Sequence, residues 1–211
     1  MPVFVAMLRG VNVGRAKRIP MADLRALLSK LDYTRVATVL NSGNAVFCAT
    51  RRSSATHARS IAAAIAGTLG IEVPVVVKSA REFASIVAEN PLGGEGTDPS
   101  RLLVALAQDP NALPGLAAIG KLLTPPERFV LGRHAAYLLC ACGIRDSKAA
   151  AALLGKAGRF ATTRNWATVS KLQALVSLPD AMSSSGATVN DSPGRLPRAE
   201  AAARRHRQSS Q

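Results

Sequence analysis

Val36-Ala37-Thr38-Val39-Leu40-Asn41-Ser42-Gly43-Asn44-Ala45-Val46-Phe47-Cys48 sets two short apolar runs on either side of an Asn-Ser-Gly-Asn tetrapeptide. β-Branched and aromatic residues suit a pleated, half-buried surface. Asn and Gly tolerate the positive φ that a tight hairpin turn needs. The stretch therefore reads as strand (36–40), turn (41–44) and strand (45–48). Upstream, Val3–Leu8 is a continuous apolar run that suits a strand buried on both faces. A loop spans Arg9 to Ile19, and Pro20 opens a helix where its missing N–H costs nothing. Met21, Leu24, Leu28 and Leu31 fall on one face of that helix. Downstream, Ser53 or Ser54 caps a helix that ends near Leu69 at Gly70, and Val73–Lys78 is a further strand. The order is βαββαβ, the split βαβ arrangement of ferredoxin-like domains.

The pattern then begins again. Ser79-Ala80-Arg81-Glu82 is a capping box whose helix ends near Asn90-Pro91. Residues 92–99 are rich in turn formers and read as a linker. Leu102–Ala107 is a strand, Ala112–Ile119 a helix, and Arg128–Gly132 with Ala135–Cys142 a hairpin. Ser147–Leu154 is a helix, Arg159–Thr162 a closing strand, and Arg164–Val176 a last helix with Trp166, Val169, Leu172 and Val176 along one face. The expected fold is α+β, a duplicated α/β sandwich of two tandem ferredoxin-like (βαββαβ) units. The first unit with its connecting helix covers 1–90, the linker 91–100 and the second unit 101–178. Residues 179–211, rich in Ser, Pro, Gly and Arg, read as a flexible basic tail. The repeat is one of element order, without residue-level identity between the halves.

Composition narrows the function classes. The chain has 211 residues, 48% of them hydrophobic, and can bury a real core. The amino-terminal apolar run is too short for a signal peptide or a membrane span, so a cytoplasmic location and no membrane partner are expected. Cys48, Cys140 and Cys142 are too few for a disulfide framework and lie in apolar runs. Net charge is +14, with +8 on residues 1–60, −3 on 61–120 and +7 on 121–178. Two basic blocks around an acidic middle favour anionic partners, whether a small molecule or nucleic acid. An arginine-rich solvated surface explains the same charge without a partner. The histidines lack metal spacing and no Cys-x-x-Cys occurs, so neither metal nor cofactor is expected. The basic blocks hold only Asp23, Asp32, Glu127 and Asp146 as carboxylates, few candidates for acid–base or di-metal chemistry.

Four motifs occur in order: Leu8-Arg9-Gly10-Val11-Asn12-Val13-Gly14; Ile19-Pro20-Met21; Asn41-Ser42-Gly43-Asn44; and Thr162-Thr163-Arg164-Asn165-Trp166 with Thr168 and Lys171. With these motifs the chain resembles the bacterial family known as domain of unknown function 1697, over roughly residues 2–178. The resemblance implies a duplicated ferredoxin-like fold and no established activity. Members usually carry a second glycine after Gly14, where this chain has Arg15.

The motif residues are the candidate site. In the loop, Arg9, Gly10, Asn12, Gly14 and Arg18 combine flexible backbone with positive charge, a pairing that suits an anion. A structural turn explains the same loop. Asn41, Ser42, Gly43 and Asn44 leave the same sheet edge if the first strand runs parallel to the first hairpin strand. Thr163, Arg164, Asn165 and Trp166 read as a helix start with an arginine in its first turn, where the helix dipole disfavours a cation. Basic residues flank three other helix starts: Arg18 before Pro20, Arg51 and Arg52 before Ser53, and Arg145 and Lys148 around Ser147. Lys171 shares the face of Arg164 two turns along, and Trp166 is either a core anchor or a stacking surface. Three functions remain open: an anion or phosphate-bearing-ligand binder, a nucleic-acid module with only Phe4 and Phe47 as stacking platforms, and a protein scaffold. Oligomeric state is left open.

Overall fold

Strand β1 (Val3–Leu8) runs through the centre of the first sheet and is buried along nearly its whole length. The computed structural model describes residues 1–14, 17–50 and 53–177. The expected tail over 179–211 lies outside these residues, as do Arg15, Arg51 and Arg52. Alternate residues of β1 serve different layers. Phe4, Ala6 and Leu8 join the cluster under α1 (Met21–Lys30) and α2 (Ser54–Leu69). Val5 and Met7 join a second cluster shared with the other half of the chain. This two-faced burial is why β1 reads as a continuous apolar run rather than an alternating one.

β1 pairs antiparallel with β3 (Asn44–Cys48) on one side and β4 (Val75–Ser79) on the other. β3 pairs in turn with β2 (Thr34–Val39), giving the order β2-β3-β1-β4. A register shift between Thr34 and Ala37 interrupts β2, with Arg35 at φ 52°. The second sheet repeats the arrangement as β6-β7-β5-β8. Its strands are β5 (Leu102–Ala107), β6 (Arg128–Leu131), β7 (Ala136–Leu139) and β8 (Ala161–Asn165). The architecture is thus mixed α/β, with two four-stranded antiparallel sheets and several helices. No helix among the described residues is long and apolar enough to cross a membrane.

Five layers follow. α1 and α2 cover the outer face of the first sheet. A 3₁₀ helix (Pro110–Leu122) and α4 (Lys148–Leu154) cover the outer face of the second, over Leu103, Ala105, Ala136 and Leu138. Between the sheets lie α3 (Ala80–Glu89) and α5 (Trp166–Ser177), with Phe83, Ile86, Val169 and Leu172 buried among residues of both sheets. The capping box at Ser79 forms as expected, with Ser79 and Glu82 each bonded to the other's backbone N–H. Where an α-helix is expected over 112–119, the chain winds as a longer 3₁₀ helix. Pro114 inside it cannot supply an N–H, and Gly115 and Gly120 weaken helix propensity.

The expected end of the chain also changes. Thr163, Arg164 and Asn165 belong to β8, where they pair with Ala105, Val104 and Leu103. The helix starts at Trp166, two residues later than expected, with the Asn165 side chain accepting from the Thr168 N–H at 3.0 Å. Asn165, not Thr163, is the cap, and Arg164 is a strand residue. Pairing with β5 outweighs the local capping signal of Thr-Thr-Arg-Asn, and β-branched Thr162 and Thr163 suit a strand.

The halves are tied at the β6–β7 turn. Glu89, at the end of α3, accepts from the backbone N–H of Arg133 at 2.6 Å and of His134 at 2.9 Å. The buried Tyr137 hydroxyl donates to the Ile86 carbonyl at 2.7 Å and lies 3.3 Å from Glu89 Oε2. Burial opposes ionisation of Glu89, but the two N–H bonds and His134 outweigh it and hold the carboxyl below its usual range. Its contribution is therefore complete above the unfolded-state value and drains away as pH falls through the lower folded-state value. Glu89→Ala is expected to lower stability by about 1–2 kcal/mol at neutral pH. Urea unfolding of both proteins at pH 7 and pH 3 checks this, since the difference must shrink in acid.

Candidate functional site

The Arg9 loop and the hairpin turn leave one end of the first sheet together because β1 and β2 both run antiparallel to β3. The Leu8 N–H donates to the Gly43 carbonyl at 2.8 Å, joining them. Gly43 has φ 73°, and a Cβ there would come within 2.8 Å of the Leu8 Cβ and 2.5 Å of a Val11 methyl. Only glycine fits both the conformation and the space.

Asn12 organises the loop from within. Its φ is 57°, and its amide donates to the carbonyls of Ile19 at 2.9 Å and Asn41 at 2.6 Å. Its Oδ1 accepts from the Ile19 N–H at 2.9 Å. Asn44 is fully buried and donates to the Val39 carbonyl at 3.0 Å and the Ser42 hydroxyl at 2.8 Å. These two amides are engaged with the protein's own backbone and turn.

Arg164 enters this turn from the second sheet. Only 8% of it is exposed. Nη2 donates to the Leu8 carbonyl at 2.6 Å and the Ser42 carbonyl at 2.9 Å. Nη1 donates to the Thr162 hydroxyl and the Thr163 carbonyl, both at 2.9 Å. Nε donates to Asn44 Oδ1. All five N–H groups of the guanidinium are thereby engaged. Every partner is a neutral oxygen, and burial without a carboxylate pulls the guanidinium down to about 10.

Arg9 makes the reverse crossing. Its Nη1 donates to the carbonyls of Gly158 and Ala161, and its Nη2 to those of Gly155 at 3.0 Å and Leu154 at 3.3 Å. Two of these carbonyls close the end of α4, where the helix dipole favours a cation. Partial burial again lowers the Arg9 guanidinium below its ordinary value.

A cleft of about 620 Å³ lies between the two crossings. Its lining includes Arg9, Gly10, Ser42, Thr163, Arg164 and Asn165 from the expected set. No carboxylate is in that lining; the added walls are Val11, Val13, Leu154, Thr162 and Thr168. Asn12, Gly14, Arg18 and Asn41 line a separate hollow of about 350 Å³ on the other side of the loop. Ser147 is buried and caps α4 by accepting from the Ala150 N–H, and Lys148 stands exposed as that helix's first residue. Trp166 packs on the cluster between the sheets, and Lys171 is exposed on α5. None of these four lines either cavity. Phe4 and Phe47, the sequence candidates for base stacking, are 4% and 0% exposed beneath α1 and α2. Among the described residues no group of three or more His, Cys, Asp or Glu is placed to hold a metal.

Of the missed residues, Thr162 carried a usable signal. Read as a strand, its spacing of two from Arg164 puts both on one face, where their side chains bond. Leu154 and Val13 carried none, because only tertiary packing brings them to the cleft. Arg164→Ala should cost about 3 kcal/mol or more, since it strips a donor set from several buried oxygens at once. Arg164→Lys should recover less than half, having three donors and no planar fork. Chemical denaturation of the three proteins measures both.

A conserved bacterial protein of Streptococcus pneumoniae has a solved structure similar to this chain. The two share 21% identity with a TM-score of 0.69, over 83% of this chain and 98% of that one. The similarity extends to the fold. No protein with a curated description matches. The family described as "Protein of unknown function (DUF1697)" matches residues 1–137, more than half of the chain. Those residues take in the first sheet, the Arg9 loop, the hairpin turn, β5, β6 and the first two residues of β7. The chain belongs to that family.

Proposed function

We propose that this protein is a bacterial, cytoplasmic binding protein for small anionic ligands, phosphate-bearing compounds included. It takes them in the cleft between two ferredoxin-like units, residues 1–90 and 101–178, joined by a linker at 91–100. The two-unit reading is supported by the strand orders β2-β3-β1-β4 and β6-β7-β5-β8, which are the same order shifted by one repeat. In each half a helical segment joins the first strand to the second and the third to the fourth.

One observation carries the ligand reading: two guanidinium groups border a cleft with no carboxylate in its lining. Burying a cation without a counter-charge is expensive. The neutral oxygens around Arg164 ease that cost and leave the charge unbalanced. A bound anion would balance it. Thr163 and Asn165 supply polar groups on the wall: the Thr163 hydroxyl and the Asn165 amide nitrogen donate to no described residue. A cleft of this size is within the usual range for small-molecule sites.

Thermal unfolding of the whole chain in inorganic phosphate and in short carboxylates tests the proposal. An anion at 100 times its dissociation constant is expected to raise the melting temperature by about 5–10 °C. Thr163→Val should weaken binding about tenfold without changing the melting temperature of the free protein. No shift with any anion at millimolar concentration would sink the reading.

A further inference from the structure

We propose that the preferred ligand is a planar, conjugated anion, such as an aromatic carboxylate, stacked on the face of the Arg164 guanidinium. The proposal rests on the anion-binding reading above and narrows its ligand class.

A guanidinium ion is a flat plate with five N–H bonds in its plane. Phosphate and carboxylate groups normally grip it by the edge, through two parallel hydrogen bonds. At Arg164 that edge is full. Leu8 and Ser42 occupy Nη2, Thr162 and Thr163 occupy Nη1, and Asn44 occupies Nε. An oxyanion seeking the edge would have to displace bonds that join the two halves of the chain. Arg164 nevertheless lines the cleft. The part of the cation left for a ligand is its face, which binds flat π systems by stacking and cation–π attraction.

The walls fit the same ligand. Val13 is 73% exposed and Leu154 is 49% exposed, and both line this cleft. Apolar side chains beside a cation suit a ring better than a hydrated phosphate. The ring's anionic group still needs donors, and the cleft has them. Arg9 engages Nη1 and Nη2 with carbonyls of residues 154–161, while its Nε–H has no described partner. Thr163 lines the same cleft and brings a hydroxyl to it as a further donor.

Benzoate and cyclohexanecarboxylate make a decisive pair, with equal charge and similar size but different planarity. Both, and inorganic phosphate, are titrated into the full chain by calorimetry and by proton–nitrogen NMR. Benzoate is expected to bind at least about 5-fold more tightly than cyclohexanecarboxylate. The Arg164 Nε–H signal should move upfield, as a ring current above the guanidinium requires. Val13→Glu, at an exposed position that the fold tolerates, should weaken benzoate about tenfold by adding like charge at the rim. Equal affinity for the two acids overturns the planar preference while leaving anion binding in place. A still Arg164 signal, or unchanged benzoate affinity in Val13→Glu, overturns the placement. Failure of all three probes to bind overturns both this inference and the broader reading.

Discussion

One guanidinium group holds the architecture at its centre. Arg164 leaves the edge strand of the second sheet and gives three of its five hydrogen bonds to the turn and strand end of the first, the other two staying on its own strand. Its partners include the carbonyls of Leu8 and Ser42 and the side chain of Asn44. A charge this deeply buried requires every donor to find an oxygen. The neighbouring geometry answers that requirement. Gly43 brings the hairpin against the Arg9 loop, Asn44 is held by Val39 and Ser42, and Thr162 lies on the same strand face.

The two halves exchange such groups. Arg164 reaches from the second sheet to the first hairpin turn, and Arg9 from the first sheet to the segment after α4. Glu89 answers at the other hairpin, where a carboxylate from α3 accepts from backbone N–H groups of Arg133 and His134. A cation therefore addresses carbonyls at one turn, and an anion addresses N–H groups at the other. Between the turns, α3 and α5 are buried against both sheets. Polar clasps and an apolar layer together set the spacing of the cleft walls, so the site is a product of how the halves meet.

Local signals carried much of this into the sequence. The unbroken apolar run of β1, the Asn-Ser-Gly-Asn turn and the capping box at Ser79 each act over a few residues; the first and last formed as read, and the turn lies one residue earlier, with Leu40 in it and Asn44 opening β3. Arg164 shows where local reading stops. Thr-Thr-Arg-Asn looks like a helix cap, but pairing with β5 makes it a strand. The oddity of an arginine at a helix start then disappears, replaced by a buried arginine in a sheet. The polar groups of Asn12 and Asn44 suggest ligand chemistry in the sequence, and in the fold they serve the loop and turn themselves. Leu154 and Val13 meet at the cleft only because two distant segments pack together, which no window of sequence contains.

The clasps have a consequence for sequence change. Most acceptors of Arg164 and Arg9 are main-chain carbonyls, present whatever side chain a position bears. Ser42 and Leu154 can be exchanged while the oxygen that the arginine needs stays in place, whereas a Cβ at Gly158 would come within 1.9 Å of the Leu153 carbonyl oxygen. The demand for chemical identity falls on the two arginines, Asn44 and Thr162, and the demand for shape falls on Gly43 and Gly158. An interface addressed to backbone separates what must be kept from what is free to drift. Exposed Val13 and Leu154 on the cleft walls belong to the second group, so the apolar part of the lining can change while the junction that shapes the cleft is retained.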